Sequence, residues 1–462
     1  MRFPRELRAA SVVAIAFAIQ GCAKSSAHPS ESSSPAALSA SARSSAQGPA
    51  PSLPSNLSVL LITVDALRAD MPWVGYPRNI APNLTKLAEK SVVYTRAYAL
   101  SSYTSMSLGG MLASRYPLEL PRDGRATSRF FDDALFFPEL LKPAGIRTIA
   151  AHGHVYFAGD TGIAQGFEDW RVIPGIVYNP AREGYVSDAA ISELMQKALG
   201  EHGASHPGQR FFAWVHFMDP HFDYANHTEL ERYRGSPYAA DAGAVPPGSP
   251  LDSVGQQLRN RYDREVAFTD SQIGRLLAWV DAQPWAKTTA IVVTSDHGEA
   301  FGEHEHYFEH GFFLFDVTTR VPLLLRIPGV APRRIDARRS HIDLGPTLLD
   351  LFGVPKPPSM RGQSLLSEMA GNAPPAPRDI VIDMPYTDQT PRRRALIHGK
   401  FKLIASESEL KPQLYDLDAD PGERHDLAAE RPELASELDA RLKELDAKIP
   451  DYPAERRAKR EY

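Results

Sequence analysis

A single cysteine, Cys22, stands in a chain of 462 residues. No intrachain disulfide can staple the fold, and no cysteine cluster can hold zinc or an iron–sulfur centre. Long apolar runs are missing too, since the apolar stretch 9–19 near the start is too short for a membrane-spanning helix. The net charge is only -5, and no basic stripe with interleaved aromatics occurs, which argues against nucleic acid as a partner. What is present is a hydrophobic share of 43%. That suffices for a body of about 400 residues held by its core alone, as one large domain with a smaller appendage.

The chain opens on a basic segment containing Arg2, Arg5 and Arg8, continues into the apolar stretch, and reaches Gln20 and Gly21 just before Cys22. A bacterial lipoprotein signal places its acylated residue at this point. Residues 1–21 are therefore expected to be a lipoprotein signal peptide, with export and a lipid anchor to the bacterial cell envelope through Cys22. In a diderm cell the anchor would lie in the outer membrane, because Ala23 is not an aspartate. Residues 22–57 are rich in Ser, Ala and Pro and cannot bury enough surface to offset ordering entropy, so they read as a flexible tether. Such a tether would hold the folded part roughly 30 Å from the lipid.

Along the body, β-rich apolar runs at 58–64, 147–151, 211–217, 289–294 and 322–327 alternate with helical patterns at 82–90, 137–142, 186–199 and 262–282. This alternation predicts an α/β fold with a mostly parallel central sheet flanked by helices. Composition shifts after the prolines near 355–358, which suggests a catalytic domain over 58–358. A C-terminal α+β subdomain over 359–462 would follow, with short antiparallel strands at 379–383, 394–397 and 401–404 and a helix at 431–449. The charged tail 455–462 should fray.

Two of the predicted strands deliver hard ligands at their C-terminal ends: Asp65 after the first, Asp296 and His297 after the run at 289–294. Ligands of open parallel sheets bind outside that edge, so these residues can converge although far apart in sequence. Thr104 begins a segment in which Leu108, Met111 and Leu112 recur at helical spacing, near a helix N-terminus that favours anions. Threonine is also a favoured N-cap, which is its plainer role. Histidines cluster at His216 and His221 and again at His304, His306 and His310. For His306, and equally for His304, pairing with acidic neighbours on a solvated loop is the competing explanation. His152 and His154 could reach a pocket, Asp270 fits helix packing, Asp343 fits a helix start, and Arg68 and Asp70 fit a brace in the first loop.

Val64-Asp65-Ala-Leu-Arg68-Ala-Asp70, Ser102-Tyr-Thr104-Ser-Met-Ser107, His216-Phe-Met-Asp-Pro-His221, Thr294-Ser-Asp296-His297-Gly-Glu299 and Leu414-Tyr-Asp416-Leu-Asp-Ala-Asp420-Pro-Gly422 occur in this order. The set resembles the sulfatase family of the alkaline phosphatase superfamily. It departs from the formylglycine-dependent members, because threonine replaces the cysteine or serine that is oxidised, Leu108 stands where an arginine is usual, and Asp65 is followed by Ala66 rather than a second aspartate. The threonine instead resembles the phosphoethanolamine transferases.

The resemblance implies an alkaline-phosphatase-like fold and one divalent metal held by Asp65, Thr104, Asp296 and His297, with Zn or Mn favoured, Ca an option and no formylglycine. It also implies Thr104 as nucleophile, and His216 or His221 with His310 as contacts to the transferred group or acid for the leaving group. The expected activity is hydrolysis or phosphoryl transfer on a small-molecule, lipid or glycan phosphoester through a covalent Thr104 intermediate. The alternatives are sulfate-ester hydrolysis without formylglycine and an inactive metal-binding surface protein.

Overall fold

Seven consecutive buried residues, Ser58–Val64, form β1 at the centre of the sheet that carries the molecule. The computed structural model describes residues 53–174, 187–222, 224, 251–304, 307–371, 375–407 and 411–452. Cys22, the expected signal peptide, nearly all of the expected tether, His306 and the tail 455–462 lie outside them. The remaining strands are β2 (Val92–Tyr98), β3 (Arg147–His152), β4 (Asp169–Val172), β5 (Phe211–Phe217), β6 (Thr289–Ser295), β7 (Ala300–Phe301) and β8 (Phe308–Glu309). After these come β9 (Arg320–Arg326), β10 (Arg333–Ile335), β11 (Arg339–Ser340), β12 (Ile380–Met384), β13 (Arg393–His398), β14 (Phe401–Ser406) and β15 (Gln413–Asp416). The helices are α1 (Pro82–Ala88), α2 (Thr104–Ala113), α3 (Asp188–Ser205), α4 (Ser253–Asp281), α5 (Asp316–Thr319), α6 (Leu344–Phe352), α7 (Leu366–Ala370) and α8 (Pro432–Asp446).

The main sheet runs β10-β2-β9-β6-β1-β5-β3-β4, with β11 also on β2. β1 pairs in parallel with β5 and β6, whereas β9 is antiparallel to both β2 and β6. Because side chains alternate across a strand, β1 feeds two cores. Val59 and Leu61 pack on the face that carries α2 and α6, and Leu60, Ile62 and Val64 on the face that carries α1, α3 and α4. Each such buried aliphatic side chain contributes roughly 1.5–3 kcal/mol. Pro322 is tolerated in β9 because its partner strand is irregular between Tyr94 and Ala97, so no ladder hydrogen bond is demanded of it there.

A second, four-stranded antiparallel sheet, β12-β13-β14-β15, follows. One face packs on Tyr98, Leu314 and Phe315 of the main body. The other takes Leu438 and Leu442 of α8. The α/β fold and the C-terminal antiparallel sheet are as expected, and several details are not. The expected helix 137–142 is two successive 3-10 turns, Phe137–Leu140 and Lys142–Ala144, since Pro138 and Pro143 cannot donate the bonds of an α-helix. α4 starts about two and a half turns before Tyr262, the expected start of the helix, at an N-cap where Asp252 accepts from the backbone N–H groups of Val254 and Gly255. β2, β4, β7, β8, β10, β11 and β15 are strands that the sequence pattern does not predict.

Candidate active site

At the C-terminal edge of the main sheet, β1 and β6 lie side by side, with Val64 opposite Ser295. Asp65 and Asp296 therefore leave the sheet together. Asp65 donates its backbone N–H to Phe217 O, and the chain then turns through Ala66 at φ 58°, a left-handed conformation unusual for a residue with a side chain. That turn aims the Ala66 N–H at Asp296 Oδ1, 3.2 Å away, and the His297 N–H meets the same oxygen at 2.9 Å. Ser295 Oγ ties the two strand ends by donating to Val64 O and accepting from the Leu67 N–H.

Thr104 is the first residue of α2, while the N-cap is Tyr103, which makes no side-chain capping bond. The plainer capping role for Thr104 is therefore absent. Its Oγ1 lies 3.0 Å from His297 Nε2, and every residue of α2 is buried. His297 Nδ1 lies 2.9 Å from Gly298 O, and a carbonyl can only accept, so the proton sits on Nδ1 and the Nε2 lone pair faces inward. That lone pair looks at Asp296 Oδ2 at 3.4 Å and Asp65 Oδ1 at 3.6 Å. Both of these carboxylate oxygens are buried without a hydrogen-bond partner.

Such an arrangement repels itself unless a cation is shared among its members. Burial and the Asp65 charge push the Asp296 carboxyl up to about 7. For Asp65, burial acts upward, but His221, His216 and His297 outweigh it and hold the carboxyl below the usual range. Ligand atoms of Asp65, His216 and Asp296 lie within 4.8 Å of one another. Carboxylates, imidazole nitrogens and a hydroxyl around orphaned oxygens fit a divalent metal ion.

Histidines wall the rest of the site. His310 stacks on His297 with ring centroids 4.2 Å apart, and His221 meets His310 at 4.8 Å. His310 Nδ1 is 3.1 Å from Glu299, whose carboxyl is pushed up to about 7 by burial against the pull of His221 and His297. Burial, followed by the charge of His221, brings His310 down to about 3. His221 moves the other way, because Asp65 and Glu299 overcome its burial. His216 differs from His221 in position: it is wholly buried on β5, with Nε2 3.3 Å from Asp65 Oδ2.

The sequence matches the family model Sulfatase over residues 58–354, and that of N-sulphoglucosamine sulphohydrolase, C-terminal, over residues 302–448. The chain belongs to the sulfatase family. Iduronate 2-sulfatase of Mus musculus is 26% identical over 401 residues, covering 65% of this chain and 70% of that one. Ulvan-active sulfatase of Formosa agariphila is 26% identical over 410 residues, covering 81% and 77%. Among solved structures, the phosphonate monoester hydrolase of Agrobacterium radiobacter superposes with a TM-score of 0.70 at 20% identity, over 86% of this chain and 96% of that one, which shows a shared fold. This sulfatase-family chain is accordingly an ester hydrolase by family.

Within this family site, Asp65, Thr104, Asp296, His297, His216, His221 and His310 are all brought together, whereas His304 stacks on Phe315 at 3.8 Å. His154, for which the sequence offers only reach to a pocket, has its ring 6.1 Å from that of His221, and its Nδ1 accepts the Tyr156 N–H. The strand-end rule that singled out Asp65 would have found it, because His154 follows β3 at the same sheet edge. His152 is instead enclosed by Phe157, Trp170 and Trp214, and burial keeps it neutral. Arg68 braces the first loop, bonding Asp70, Glu303 and the Glu299 carbonyl. Asp343 does not cap α6 with its side chain but holds the Gln363 N–H and Arg378.

Proposed function

We propose that this chain cleaves phosphate esters through a covalent intermediate on Thr104, releasing the group to water or to an acceptor alcohol. The observation that carries the reading is the Thr104 hydroxyl, freed from capping and set 3.0 Å from His297 Nε2 over two orphaned carboxylate oxygens. A divalent ion held by Asp65, Asp296 and His297 would supply the charge that lowers the pKa of that hydroxyl and offsets the anionic oxygens of the ester. The hydroxyl proton is lost to solvent, Oγ1 bonds to phosphorus, and the bond from phosphorus to the ester oxygen breaks. His221, beside His310, gives a proton to the departing oxygen. It recovers one from the attacking water as the Thr104–phosphorus bond breaks, and the released Thr104 oxygen takes a proton back from solvent, so the enzyme returns unchanged. His154 and His310 would orient the non-bridging oxygens.

Thr104→Ala is expected to lose several powers of ten in turnover while keeping its metal, and Thr104→Ser to keep measurable activity. Wild-type turnover by Thr104→Ala would overturn the mechanism. A second reading, sulfate-ester hydrolysis without formylglycine, is supported by the names of the relatives, two of them sulfatases. A matched panel of aryl phosphate and aryl sulfate esters separates the two, and the first reading expects phosphate to be the faster. The mass of the Thr104 peptide is expected to be that of unmodified threonine.

We also infer that Cys22 is the acylated N-terminus of an envelope lipoprotein, on the strength of the signal-like segment before it. Residues 58–358 would then act at the end of a tether. An unmodified Cys22 inside the mature chain, found by mass spectrometry, would refute the anchor.

A further inference from the structure

We propose that His216 is a direct ligand of the metal, replacing the second aspartate that this chain lacks. The inference rests on the reading above that a divalent ion lies between Asp65 and Asp296. Asp65 is followed by Ala66, so the strand end supplies one carboxylate rather than two. Ala66 sits at φ 58°, a region where aspartate is among the enriched non-glycine residues, so the backbone suits an aspartate better than the alanine it holds. The missing ligand has a substitute on the neighbouring strand. Register pairs Thr63 of β1 with His216 of β5, which sets the imidazole immediately beside Asp65.

The hydrogen bonds around that imidazole leave Nε2 free to coordinate. Thr63 Oγ1 accepts the indole N–H of Trp214 at 2.8 Å and has Val215 O as the acceptor for its own proton. The contact from Thr63 Oγ1 to His216 Nδ1 is 2.7 Å, and an Nδ1–H donating there is the arrangement that coordination through Nε2 requires. With the proton on Nδ1, Nε2 faces Asp65 Oδ2 at 3.3 Å in a fully buried place, and ligand atoms of Asp65, His216 and Asp296 lie within 4.8 Å of one another, close enough to share one cation. Donors about 2.1 Å from a tetrahedral ion lie about 3.4 Å apart. The separations of 3.3 Å from His216 to Asp65 Oδ2 and 3.4 Å from His297 to Asp296 Oδ2 are of that size, and Asp65 turns its other oxygen to His297 at 3.6 Å. Two imidazoles with two carboxylates make a nitrogen-rich site, which should prefer Zn²⁺ to Ca²⁺.

The test is metal binding by protein stripped with a chelator and titrated with Zn²⁺ or Ca²⁺. Wild type is expected to take one Zn²⁺ per chain, and H216A to bind it more than about 100-fold more weakly, beyond the usual effect of losing a residue that only supports a ligand. Adding A66D to H216A should restore one ion per chain and move the preference toward Ca²⁺. H216Q carries the same expectation of weakened Zn²⁺ binding should H216A fail to fold. X-ray absorption of the zinc-loaded wild type should show two imidazoles on the metal. A single imidazole, or wild-type zinc affinity in H216A, overturns the assignment while leaving the Thr104 reading intact. A wild type that binds no divalent ion removes both.

Discussion

Among the described residues, two clusters of buried ionisable side chains follow opposite rules. Where the C-terminal sheet meets the main body, Lys402 of β14 is fully buried with its Nζ 2.7 Å from Asp316 and 2.8 Å from Glu423. Those two carboxylates raise the lysine's pKa against its burial, so it stays charged. Nearby, Arg394 meets Asp383 at 3.0 Å, and Asp383 also accepts the Leu118 N–H. At the sheet edge, by contrast, lone pairs and carboxylates face one another and two oxygens have no partner. Opposite charges placed together hold modules in register; like groups placed together fit a shared cation.

The comparison breaks most visibly at Asp296. Asp296→Asn keeps an oxygen for the N–H groups of Ala66 and His297 but removes the charge. We expect activity to fall ~10³-fold or more, the equivalent of the several kcal/mol that metal-held charge contributes. The metal-free variant should nonetheless melt no lower than metal-free wild type, because a buried, unpaired carboxylate is gone. A lower melting temperature would show that Asp296 is a structural residue.

Lys402→Met is the mirror image. It should lose about 3–5 kcal/mol of stability, since Asp316 and Glu423 are left buried without their cation. Turnover measured well below its melting temperature should stay near that of wild type. Denaturant midpoints give the first quantity and steady-state rates the second. A stable variant would mean that the triad is no tighter than a surface pair.

Chelation sharpens the contrast at a smaller scale. An ion present at 100 times its dissociation constant stabilises the folded state by about 2.7 kcal/mol. A chelator should therefore lower the melting temperature of wild type, leave Asp296→Asn where it was, and cause the same drop in Lys402→Met as in wild type. An equal drop in all three would place the ion elsewhere.

Much of this site was legible because its residues follow uninterrupted apolar strands. Asp65, Asp296 and His297 each come directly after a run that could only be a buried strand, and the sheet-edge rule does the rest. What hid was whatever depended on neighbours. β2 carries Thr95 and Arg96 in its middle, and only its pairing with β9 and β10 makes it a strand. The first third of α4 is so polar that periodicity alone does not find it, although Asp252 marks its start. The place of His216 beside Asp65 depends on strand order, since β5 neighbours β1 across more than a hundred residues of sequence. The 3-10 turns at Pro138 and Pro143 were mistaken for a helix because their apolar spacing is helical while their backbone cannot be.

Asp270 offers the gentlest test, because it is a buried carboxylate outside both clusters. From α4 it accepts the backbone N–H groups of Asn83 and Leu84 and the Asn83 amide, so it caps α1 from a distance. Burial pushes its carboxyl from 3.8 up to about 6, with those N–H bonds opposing. The folded protein then holds the proton more tightly than the unfolded chain. The associated stabilisation is complete below about pH 4 and is lost as pH rises through about 6, on the order of 3 kcal/mol in all. Asp270→Asn does not titrate, so its stability relative to wild type should rise between pH 4 and pH 7, read from urea midpoints of both proteins. A difference that falls over the same range would mean that three donors at a helix N-terminus outweigh burial. In that case the rule drawn from the two clusters, that partners decide the fate of a buried charge, would extend to neutral dipoles as well.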